Sequence, residues 1–73
     1  MDEGVQLAEA ASGRDPAAGL RAIRALRDLA ERLEALQVDN ARRQGWSWQE
    51  IAAELGVSRQ AAHKKHARRM RGR

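Results

Sequence analysis

An all-α fold is predicted for this chain, and three observations predict it. Ser47 and Glu50 stand three apart ahead of an apolar run. At that spacing a hydroxyl and a carboxylate cap each other's backbone N–H groups at a helix start. Asp15-Pro16 is a second helix start, a capping carboxylate followed by proline at the first helical position. Beyond it only Gly19 interrupts the run until Gly45, a natural C-terminal residue. Leu26, Leu29, Leu33 and Leu36 repeat at 3-4-3 spacing, the period of a helix face.

In chain order, residues 1–14 read as a short weak helix or flexible arm, in which Val5, Leu7, Ala8 and Ala11 supply one or two turns. Segment 15–44 holds a long helix over 16–44. Its twenty-nine residues would span roughly 43 Å at about 1.5 Å per residue. Leu20 and Ile23 extend the leucine stripe upstream and Asn40 continues it downstream. A polar residue at such a position is able to set register and oligomer state. Val38 and Ala41, with Leu36, suit packing on the helix pair beyond Gly45.

Segment 45–70 reads as two short helices joined by a tight turn. The first runs from the Ser47 cap to Leu55 and turns Ile51, Ala52 and Leu55 inward, Ala52 being small where another helix must cross. Gly56 meets the need for a left-handed residue, Val57 plugs the turn into the core, and Ser58 caps a second helix over 58–70. Of Trp46 and Trp48, two apart, one is expected in the core and the other partly exposed, with Trp48 resting on a nucleic-acid backbone in the sharper version. His66 is expected to pack, and Met70 to tuck back against the core. Residues 71–73 form a basic tail.

The second helix has Ala61 where a capping box would place Glu or Gln, so its positive end is left open to an anion. This stretch, G-x-S-W-x-x-I-A-x-x-L-G-V-S-R-Q-A, resembles the helix-turn-helix of small bacterial regulators. It is also similar to the promoter-binding end of sigma factors. The resemblance covers residues 40–70. It implies a tri-helical core whose last helix, the recognition helix, enters the DNA major groove. The family usually has Val or Ile where Ala62 stands, and an aromatic or aliphatic residue where His66 stands. A thin core under that helix is therefore expected.

Composition sets the bounds. The chain has 73 residues and is 42% apolar, but fifteen of its thirty-one apolar residues are Ala. One domain of that size gains much from a partner chain. The absence of Cys removes disulfides and thiolate metal sites. No apolar run approaches the roughly 20 residues needed to cross a membrane, and no leader peptide is recognisable. A cytoplasmic, nucleoid-associated protein is expected. The net charge of +4 conceals a split: residues 1–40 carry eight acids and five bases, residues 41–73 two acids and nine bases. The basic half is the half with the motif, as expected if it meets phosphates.

These readings imply double-stranded DNA as partner. Arg59, Gln60, His63 and Lys64 are the candidate readers of base edges. Ser47, Ser58, Arg42, Arg43, Lys65, Arg68 and Arg69 are the candidate phosphate contacts. Leu20, Ile23, Leu26, Leu29, Leu33 and Leu36 are the candidate dimer interface, because the short helix pair is too small to cover them all. The function expected is sequence-specific DNA binding by a homodimeric transcriptional regulator. Two alternatives stand beside it. One is a protein-interaction module that offers the leucine seam of the long helix to another protein. The other is an architectural DNA-coating protein with little sequence preference. No cofactor is expected. His63 and His66 lack a third metal ligand, and Glu50, Glu54, Ser47 and Ser58 are accounted for by capping or solvation, so neither metal binding nor catalysis is expected.

Overall fold

The computed structural model describes residues 2–71, with side chains to residue 70; Met1, Gly72 and Arg73, most of the expected basic tail, lie outside the described residues. It is all-helical, with no strand among the described residues. The elements are α1 (Asp2–Ala11), α2 (Pro16–Arg43), α3 (Trp48–Leu55) and α4 (Arg59–Arg71). Two compact units divide the chain, Met1–Leu33 and Glu34–Arg73, and α2 contributes to both.

In the first unit α1 turns back along the start of α2. The Asp15 carboxylate accepts from the Ala17 N–H at 3.1 Å, and Pro16 opens the helix. Gly19 is buried because α1 ends against it: a Cβ there would meet the carbonyl oxygens of Ala10 and Ala11 at 3.7 Å. Arg32 reaches Glu3 at 3.9 Å near the other end of the pair. Ala22 is buried, and Leu7, Ala11, Leu26 and Leu29 are half-buried. Leu20 and Ile23 stay exposed.

In the second unit the last part of α2 packs with α3 and α4. Its ends are closed by the residues that sequence logic selects. Gly45 has φ 91°, and the N–H groups of Gly45 and Trp46 return to the carbonyls of Arg42 and Ala41. Those paired bonds satisfy two of the orphan carbonyls at the helix end. Ser47 and Glu50 form the reciprocal box: Glu50 N–H donates to Ser47 Oγ at 3.1 Å, and Ser47 N–H to Glu50 Oε1 at 2.8 Å. Gly56 has φ 72°, and Val57 N–H donates to the Ala52 carbonyl. Ala61 N–H donates to Ser58 Oγ at 3.0 Å, starting α4.

The core of this unit is thin. Among the described residues of this unit, Val38, Ile51, Ala52, Ala62 and Ala67 are the buried apolar ones, so two large apolar side chains fill it beside the imidazole of His66. Four expectations are corrected. Leu36 is 55% exposed and so does not pack on the helix pair. Leu55 and Val57 are also exposed, because the turn and the last residue of α3 lie at the edge of a core only one layer deep. Neither tryptophan is a core residue, Trp46 being exposed and Trp48 half-buried.

Candidate nucleic-acid interface

The candidate interface is the outer surface of α4, and the structure sorts its polar side chains into two groups. Arg59, Gln60, His63, Lys64 and Arg68 are exposed. Among the described residues no carboxylate lies within ion-pairing distance of Arg59, Lys64 or Arg68. There is no acid in the first turn of α4. The backbone N–H groups of Arg59 and Gln60 have no acceptor among the described residues. Their open donors add to the positive end of the helix dipole.

The second group faces α2. Arg69 Nη2 donates to Asp39 Oδ1 at 2.6 Å and to the Ala35 carbonyl at 3.3 Å, and Nε donates to the same Asp39 oxygen at 3.2 Å. Arg69 Nη1 also donates to His66 Nδ1 at 3.0 Å. Lys65 Nζ is 3.0 Å from Glu34 Oε2. Expected to hold phosphate, Lys65 and Arg69 are engaged with acids of their own chain, and Arg69 is half-buried there.

His66 completes this group, and no feature of the sequence marks it as a polar link. Its side chain is 3% exposed, and Nε2 lies 2.7 Å from Glu34 Oε2. A guanidinium has only donors, so Nδ1 must accept from Arg69 and the ring proton sits on Nε2, donating to Glu34. His66 therefore packs as expected, but as a hydrogen-bonded joint rather than an apolar plug. At Glu34, burial pushes the carboxyl up; the hydrogen bonds from Lys65 and His66, with the Lys65 charge, outweigh it and bring the group below the ordinary 4.5. No buried polar side-chain atom among the described residues lacks a partner.

Ser47, Ser58, Arg42 and Arg43 remain. The α3 start already holds an anion, since the Ser47 N–H bond lowers the Glu50 carboxyl below its usual range and keeps it charged. A phosphate there would meet that charge, whereas the Ser58 end of α4 has none. Arg42 is turned to the tryptophans: its guanidinium carbon lies 4.9 Å from the centre of the Trp48 ring, and Nη1 donates to the Trp46 carbonyl at 2.7 Å. Trp48 in turn meets His63 edge-on, with ring centres 5.3 Å apart and planes at 78°. Arg43 is exposed.

Among the described residues, no three His, Asp or Glu side chains gather as a metal-binding group. No described helix is long and apolar enough to cross a membrane. Compared with protein families, curated proteins and solved structures, the chain matches none.

Proposed function

We propose that this protein binds double-stranded DNA sequence-specifically, as a homodimeric transcriptional regulator of the bacterial cytoplasm and nucleoid, with α4 in the major groove. One observation carries the reading. On α4 the residues suited to base edges and phosphates, Arg59, Gln60, His63, Lys64 and Arg68, are exposed and carry no acidic partner among the described residues, while Lys65 and Arg69 anchor the helix to α2. A helix presented this way supplies donors to purine edges from its N-terminal half and charge to the flanking phosphates.

Base readout then stays with Arg59, Gln60 and His63; phosphate positioning falls to the Ser58 end of α4, Arg68 and Arg43, and to Lys64, moved here from the base readers because its ammonium is a point charge without a bidentate fork. Arg69 and Arg42 hold the scaffold. Exposed Leu33 and Leu36, three apart and so on one face of α2, motivate the homodimer, with Leu20 and Ile23 exposed nearer the start of the helix.

Selection of random duplexes by the purified protein at about 0.15 M salt tests this, because weak phosphate contacts are screened there. The expected product is an inverted repeat with half-sites about one helical turn, roughly 34 Å, apart. Tight binding with no enriched sequence would replace this reading by an architectural one.

A further inference from the structure

The unexplained feature of the second unit is the ring cluster. Trp48 opens α3 and is half-buried. The Arg42 guanidinium from α2 and the His63 imidazole from α4 both rest on it, at 4.9 Å and 5.3 Å between centres. Cation–π and edge-to-face geometries are directional contacts. They restrict the rotamer of an otherwise exposed side chain. His63 itself is exposed, and neither ring nitrogen hydrogen-bonds to any described residue. A fixed imidazole with free polar atoms stands one helical turn beyond Arg59 and three residues beyond Gln60. That is the side of α4 where base contacts are proposed.

We infer that Trp48 is a positioning residue for DNA specificity, holding His63 so that its ring N–H donates to the N7 atom of a purine in the major groove. This rests on the proposed placement of α4 and adds one base pair per half-site to what the helix reads. Guanine and adenine both carry N7 as an acceptor on that edge. The readout is therefore purine over pyrimidine, without discrimination between the two purines. Arg42 braces the indole instead of holding a phosphate. The free imidazole would otherwise sample several rotamers, and binding would bear the cost of ordering it.

Four variants test this by duplex selection and by affinity for the selected site, with far-ultraviolet circular dichroism reporting that each is folded. His63→Ala is expected to lower the purine preference at one base pair of each half-site by about threefold to tenfold, the worth of one hydrogen bond. Every other position should keep its preference. Trp48→Leu keeps apolar bulk but no ring, and should lose the same preference at the same position. Trp48→Phe restores an aromatic face and should recover it. Arg42→Ala should give a partial loss there. An even loss of affinity on all duplexes for Trp48→Leu, with the sequence preference intact, would show a structural role and overturn the inference. So would a His63→Ala preference identical to the parent's. Should the parent select a site that Arg59→Ala or Gln60→Ala alters while His63→Ala does not, placement of α4 survives and this inference falls. A parent that selects nothing overturns both.

Discussion

His66 Nε2 lies 2.7 Å from the Glu34 carboxylate, thirty-two residues earlier in the chain. Arg69 ties the other side of the same imidazole to Asp39. In a core whose large buried apolar residues, among those described, are Val38 and Ile51, this polar chain joins α2 to α4. It also holds the Arg69 guanidinium on Asp39.

Breaking the joint should therefore be costly. His66→Ala removes one hydrogen bond from Glu34, which keeps Lys65, and one from Arg69, which keeps Asp39, a loss of about 1–3 kcal/mol for the pair. For a chain of this length that is a fall in Tm of about 4–8 °C per kcal/mol. Thermal unfolding followed by circular dichroism checks it. A Tm within a degree of the parent's would mean the network adds nothing to the folded state.

Acid should expose the same joint. The Glu34 carboxyl is held below 4.5 in the folded protein, with Lys65 and His66 outweighing its burial. A group lowered on folding adds stability above its unfolded value, and that stability is lost as pH falls through the folded value. Between pH 7 and 5 Glu34→Gln should thus melt below the parent by a constant margin. The margin should shrink as pH falls below about 4.5. A margin that stays constant down to pH 3 would contradict the assignment.

The two groups of cations on α4 should separate in a salt titration. Lys64→Ala and Arg68→Ala should each reduce the slope of log affinity against log salt by about 0.9, one phosphate contact apiece. Arg69→Ala should lower Tm and leave the slope as it is. Equal slope changes from Arg68 and Arg69 would show that the Asp39 pair opens when DNA binds.

The homodimer is tested on the exposed residues of α2. Leu20→Lys and Leu36→Lys place a charge where apolar side chains are 66% and 55% exposed. Neither change disturbs the interior, so each variant should keep the helicity of the parent. Sedimentation equilibrium should show a dimeric parent and weaker association in the variants. A parent monomeric at 100 µM would remove the dimer, and DNA selection would then yield a single half-site.

Local chemistry was readable wherever a helix end depends on neighbours a few residues away. Asp15-Pro16, Gly45, the Ser47–Glu50 box, Gly56 and Ser58 all act within one or two turns of their own position. A backbone N–H or a positive φ needs no distant partner. The all-helical class follows from these and from the leucine period. The depth of the core was not readable in the same way. Leu36, Leu55 and Val57 have the apolar character of core residues, but whether a second layer covers them depends on how many elements pack above.

Reading along the chain thus yields the three helices from Pro16 onward, their boundaries to within a turn, and the concentration of basic residues on the last of them, while residues 1–14 stay open between a weak helix and an arm until α1 is seen over Asp2–Ala11. Which of those bases carry an acidic partner depends on packing. Lys65 and Arg69 look no different from Lys64 and Arg68 along the chain. Their difference arises because α2 brings Glu34 and Asp39 against one side of α4, about thirty residues away in sequence. Coulomb attraction and hydrogen-bond geometry act through space, so a pairing at that separation leaves no periodicity or spacing to read.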